Sequence, residues 1–305
     1  MLRLPLIFVL LLTLSFTPAY AAKTPNVVVS IAPVHSLVAG VMEGVAEPEL
    51  LVSGNKSPHS YQLRPSQVRL LQRADIVVWV GEGIESFLPR TLATLGKDTR
   101  IIELMDVPGM KLLPTRRGGV WGESGEHHHG HSEKDGHLWL DPDNARVIVD
   151  RMVAVLGQLD ASHAYIYRAN GARLQQQLIE LDRVLQQTLA EVHKTPYLVF
   201  HDAYQYFEQR YQLNPVGAIM VDPEHKPGAR RIREIHEQLQ KQNVHCVFSE
   251  PQFSERLLQV VTEGMRLKSA TLDPMGVDLR PGKELYFDLM HRLGQGLAEC
   301  LGSDS

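Results

Sequence analysis

Two cysteines, no surplus of basic residues and 7% aromatics set the first limits on this 305-residue chain. Lys and Arg number 31 against 35 Asp and Glu, a formal charge of -4. No cationic field is present to hold a nucleic-acid backbone, so that class of partner is set aside. Cysteine occurs only at Cys246 and Cys300, without the Cys-x-x-Cys spacing of a thiolate zinc site. Neither His-Glu-x-x-His nor Gly-x-Ser-x-Gly occurs, so the signatures of zinc peptidases and serine hydrolases are missing. Beyond the N-terminal segment no apolar run is long enough to cross a bilayer.

That N-terminal segment has its own logic. Arg3 precedes an apolar stretch from Leu4 to Phe16, followed by the helix breaker Pro18 and then Ala19-Tyr20-Ala21. Charged start, hydrophobic centre and small-x-small site predict a secretory signal over residues 1–21, cleaved after Ala21. A retained anchor is the alternative, but the apolar stretch is short of the ~20 residues a span requires and no basic stop-transfer cluster follows. No cysteine stands at the cleavage site to accept a lipid. The mature chain is therefore expected to be soluble outside the cytoplasm, where two cysteines favour one disulfide over a free buried pair.

What the chain has in abundance is histidine. Five of its 14 histidines fall between Glu126 and Asp141, in EHHHGHSEKDGHLWLD. Neutral imidazole is the commonest protein ligand for metals, so this density points to metal handling. His127, His128, His129 and His131 sit among Gly, Ser, Glu and Lys and predict a solvated segment with weak accessory sites. His137 enters the apolar run Leu138-Trp139-Leu140, which predicts a fixed position.

Periodicity outlines an α/β protein of two lobes, each with a roughly four-stranded parallel sheet flanked by helices, joined by one long rigid helix. In the first lobe, residues 22–157, strands are expected at Val27–Ile31, Glu49–Ser53, Ile76–Val80 and Arg100–Leu104, with helices near 35–42, from Arg64 onward, and 85–95. The pattern dissolves over a long loop, 115–136, and loops of that length in compact proteins are usually functional or disordered. Leucines at helical spacing predict one helix from Ser162 to about His193, some 46 Å long, within a linking segment 158–194. In the second lobe, 195–305, strands are expected at Tyr197–Phe200, Val216–Met220, His245–Ser249 and Ser269–Leu272, closing with a helix from Lys283 to Leu301.

In such sheets ligands sit beyond the carboxyl ends of strands. His59 follows the second strand, His201 follows Tyr197-Leu198-Val199-Phe200, and Asp273 follows Leu272. With His137 they would form three imidazoles and a carboxylate or water, provided the lobes face each other across a cleft. Zinc suits that set; manganese would favour more carboxylates, and copper or nickel also accept imidazole.

Five ordered motifs carry a resemblance. Pro58-His59-Ser60-Tyr61-Gln62-Leu63-Arg64-Pro65-Ser66, Gly136-His137-Leu138-Trp139-Leu140-Asp141-Pro142, Phe200-His201-Asp202-Ala203-Tyr204-Gln205-Tyr206-Phe207, Phe248-Ser249-Glu250-Pro251-Gln252-Phe253 and Leu272-Asp273-Pro274-Met275-Gly276 resemble the zinc-specific periplasmic solute-binding proteins of bacterial ABC importers, the ZnuA family. The resemblance implies a monomeric periplasmic protein that binds Zn2+ between two α/β lobes and delivers it to a permease in the inner membrane. It implies ligands at His59, His137 and His201. Manganese-binding relatives carry Glu where His201 stands, which favours zinc here. Asp273 matches a metal-coordinating position of those relatives, whereas zinc-binding members use water there. The acidic residue that can precede the first histidine in the family is replaced by Pro58. The loop histidines resemble the zinc-class insertion, and Cys246 with Cys300 agrees with a disulfide tying the last helix to its sheet. Glu250 is either a partner that orients a ligand imidazole or a structural strand end. Two rivals are a manganese- or iron-binding member of the same family and, from another class, a secreted zinc hydrolase.

Overall fold

The computed structural model describes residues 24–116, 134–221 and 227–302. Residues 1–21, expected to be a signal, and the loop residues His127, His128, His129 and His131 lie outside these residues.

The first lobe follows β1 (Val27–Val29), α1 (Ala32–Met42), β2 (Glu49–Leu50), α2 (Pro65–Gln72), β3 (Ile76–Trp79), α3 (Pro89–Leu92) and β4 (Arg100–Glu103). Its strands are all parallel in the order β2-β1-β3-β4, with Val27 opposite Ile76 and Ile76 opposite Arg100. Every residue of β1 and β3 is buried, as continuous Val/Ile runs demand when helices cover both faces of a parallel sheet. The helix expected over 85–95 is reduced to α3, because the chain before Pro89 is organised otherwise. Glu85, fully buried, accepts from Val80 N, Gly81 N and the Ser30 hydroxyl, and so holds residues 80–85 in a turn at the sheet's carboxyl edge. Burial pushes its carboxyl up to about 7.

Two helices connect the lobes, α4 (Pro142–Leu159) and α5 (Ala164–Leu189). Asp141 caps α4 by accepting from Asp143 N, and Pro142 occupies the first turn, where its missing N–H costs nothing. The long helix starts and stops inside the expected range, and its 26 residues span about 39 Å. Its start is set by Asp160, which accepts from Ser162 Oγ, His163 Nδ1 and Tyr167 OH and keeps the preceding residues in a turn.

The second lobe repeats the architecture with β5 (Pro196–His201), α6 (Gln205–Tyr211), β6 (Asn214–Met220), α7 (Ala229–Lys241), β7 (Cys246–Ser249), α8 (Glu255–Val261), β8 (Lys268–Thr271) and α9 (Leu285–Leu301). Its parallel order is β6-β5-β7-β8. A Cys246–Cys300 disulfide joins β7 to α9, with Cα atoms 6.1 Å apart. Closing that loop stabilises by about 4 kcal/mol in the chain-entropy model.

The long helix is more than a strut. Leu174, Leu178, Leu181, Leu185 and Leu189 are buried along one face and belong to a hydrophobic core that runs from β1 and β3 through α1, α4 and α9 to β5 and β7. Two glycines permit this approach. A Cβ on Gly171 would lie 2.4 Å from Val153 of α4, and one on Gly294 of α9 would lie 2.5 Å from Leu185. Polar bonds also cross between the lobes: Trp139 Nε1 donates to Pro274 O at 2.9 Å, and the Tyr286 hydroxyl donates to Trp139 O at 2.8 Å. With a shared core and bonded seams, the lobes have little freedom to swing.

Candidate metal centre

Three segments deliver one imidazole each. His59 lies in a short 3-10 turn, Pro58–Ser60, just beyond β2. Tyr61 pins that turn, accepting at its hydroxyl from Gln67 Nε2 at 2.7 Å and packing its ring on Phe87. His137 precedes a second 3-10 turn, Leu138–Leu140, whose side chains are fully buried and leave it no freedom of position. His201 is the last residue of β5, at the carboxyl edge where a parallel sheet presents ligands.

Each ring is held from behind. His137 Nδ1 lies 2.8 Å from Asp135 Oδ1, which also accepts from the His137 backbone N–H at 2.9 Å. His201 Nδ1 lies 2.7 Å from both oxygens of Glu250. A carboxylate can only accept, so both Nδ1 atoms carry the proton and both Nε2 atoms keep their lone pairs. The His59 ring has no carboxylate behind it among the described residues; its Nε2 faces His137 Nε2.

The lone pairs converge. His137 Nε2 is 3.4 Å from His59 Nε2 and 3.4 Å from His201 Nε2, and the three ligand atoms lie within 4.8 Å of one another. Between unprotonated acceptors such spacing is repulsive unless a cation sits among them. With metal–nitrogen bonds of about 2.0–2.1 Å, two ligands of a tetrahedral zinc stand about 3.4 Å apart. His59 answers the crowding as expected: burial, then the neighbouring His137 and His201, hold its pKa well below 6.5. For His201 burial pushes down, but the Glu250 carboxylate and its hydrogen bond outweigh it, and the pKa is raised.

The histidines line a small cavity of about 10 Å3, walled by Trp139, Phe253, Pro274 and Met275. Asp273 is not part of the imidazole group. Its Oδ1 accepts from Gln252 Nε2 at 2.8 Å and Met275 N at 2.9 Å, and its Oδ2 from Val277 N at 2.6 Å.

One supporting residue was not legible beforehand. Asp135 sits in a polar run and was overlooked; its place two residues before His137 was the available signal. Glu250 is placed by the fold behind His201, which resolves the two roles left open for it. Beside them Arg116, at the edge of the loop, pairs with buried Asp202 and Glu208 and offsets their charge next to His201.

Parallel sheets in two lobes, a connecting long helix and a cleft that can hold a metal ion define a two-lobed cation-binding protein of the solute-binding class. Residues 27–300 match the family described as the periplasmic zinc-uptake complex component A, ZnuA. The high-affinity zinc uptake system protein ZnuA of Brucella abortus (strain 2308) is 36% identical, over 92% of this chain and 93% of that protein. The protein of the same name from Yersinia pestis is 35% identical, over 96% and 95%. A crystal structure of ZnuA shares the fold with a TM-score of 0.78 at 23% identity, covering 92% of this chain and all of that one. The chain belongs to the ZnuA family.

Proposed function

We propose that this protein captures Zn2+ outside the cytoplasm, in the cleft between its lobes, and delivers it to an ABC permease for uptake. The observation that carries the reading is the group of His59, His137 and His201, whose ligand atoms lie within 4.8 Å of one another with His137 Nε2 3.4 Å from each of the other two Nε2 atoms. Zinc, with no geometric preference from its d electrons, accepts three imidazoles and one further ligand. A manganese or iron site would want more oxygen, and the described residues bring no carboxylate into the group.

Export through the signal 1–21 and residence in the periplasm follow from the N-terminal pattern and from the family's periplasmic description. Binding and release, without turnover, is the activity we assign. The lobes share one core, so loading proceeds by small tilts and side-chain movement rather than wide closure. Loop histidines His127, His128, His129 and His131 supply weak accessory binding.

The test is a chelator-competition titration of the mature protein with zinc and with manganese, repeated on His201→Ala. Tight zinc binding that His201→Ala abolishes supports the assignment. Preference for manganese, or metal-dependent hydrolysis of esters or peptides, overturns it.

A further inference from the structure

Three imidazoles leave one position on a tetrahedral ion. Gln252 lines the same cavity as the three histidines. Its Nε2 donates to Asp273 Oδ1 at 2.8 Å. Asp273 is itself fixed by bonds from Met275 N and Val277 N. Because a carboxylate accepts and cannot donate, this bond decides which way round the amide sits: nitrogen toward Asp273, oxygen away from it. That oxygen is buried and has no hydrogen-bond partner. An orphaned buried carbonyl costs about as much as a lost hydrogen bond, so it marks a donor that belongs there.

Two other polar groups around the cavity are engaged. Both Glu250 oxygens lie against His201 Nδ1, and Trp139 Nε1 donates to Pro274 O. The Tyr204 hydroxyl is buried and likewise has no hydrogen-bond partner among the described residues.

We propose that Gln252 is a positioning residue for zinc: its Oε1 accepts a hydrogen bond from a water that completes the ion's coordination. The reading rests on the three-histidine zinc site proposed above and deepens it. It assigns Asp273 an indirect part, orienting Gln252, in place of direct coordination. Water bound to zinc is a strong donor, so an acceptor suits it. The same acceptor repels anions, since a halide or azide in that position would face the carbonyl oxygen with no proton between them. Gln252 therefore selects water over anions at the fourth position.

The test uses Gln252→Met, which keeps the length and removes the acceptor. Zinc affinity by chelator competition is expected to fall about three- to tenfold, the worth of one hydrogen bond. Azide titrated into the cobalt-loaded protein, followed by its visible bands, should bind several-fold more tightly to the variant. Unchanged zinc affinity and azide binding in a folded variant overturn the proposal. A zinc-loaded crystal structure of the unaltered protein decides without any variant: a water within hydrogen-bond reach of Gln252 Oε1 is expected, and a carboxylate or amide oxygen on the ion refutes it. If the unaltered protein binds no zinc, the three-histidine assignment itself has failed; if it binds zinc through three imidazoles and Gln252→Met changes nothing, only this inference has.

Discussion

His137 and His201 are each backed by a buried carboxylate, whereas among the described residues no carboxylate backs His59. Asp135 and Glu250 accept from the Nδ1 atoms of their rings and lock the tautomer before any ion arrives, and Glu250 raises the pKa of His201. His59 is half-buried on a short turn and has no such charged support. The difference teaches that the buried pair is a prearranged seat, while His59 is the ligand best able to move as the ion enters and leaves.

Removing a ligand should break the comparison outright. His201→Ala and His137→Ala are each expected to weaken zinc binding by about a hundredfold or more, since the metal's binding free energy is divided among four ligands. His59→Ala should lose less, because the prearranged pair remains. Equal losses at all three positions, measured by chelator competition, would erase the distinction. Next in size come the supports. Glu250→Gln and Asp135→Asn should each cost about 10–100-fold in affinity with the ligand set intact.

Proton competition sharpens the contrast. Zinc needs neutral imidazoles, and a ring with a raised pKa takes a proton at a higher pH. Since the His201 pKa is raised above 6.5, affinity should begin to fall above pH 6.5, by about tenfold per pH unit for one competing proton. His59, held well below 6.5, joins only at lower pH. In Glu250→Gln the raising charge is gone, burial then dominates at His201, and the onset should move to lower pH. Titrations from pH 8 to 5 on both proteins check the sign. The smallest effect is expected from deleting residues 126–131, which should reduce total zinc bound and leave the tight affinity unchanged; equilibrium dialysis measures the first and chelator competition the second.

Local signals made much of this legible. Val27–Val29 and Ile76–Trp79 could only be buried parallel strands, and leucines from 174 to 189 could only line a helix. The helix expected at 85–95 illustrates the limit. Glu85 reads as an ordinary helix former, yet the fold buries its carboxylate among Val80, Gly81 and Ser30, 55 residues away from Ser30, and the turn wins. His127, His128, His129 and His131 drew attention by density, while the ion's seat combines histidines far apart in the chain.

Residue chemistry and spacing along the chain were enough for the α/β class, the cysteine pair and the choice of His59, His137 and His201, which the fold brings together, because periodicity, turn residues and motif contexts are local properties. Whether Glu250 supports His201, whether Asp135 supports His137, and which way the Gln252 amide faces depend on distances between segments. Those are set by the packing of two lobes around one shared core, and no local pattern encodes them.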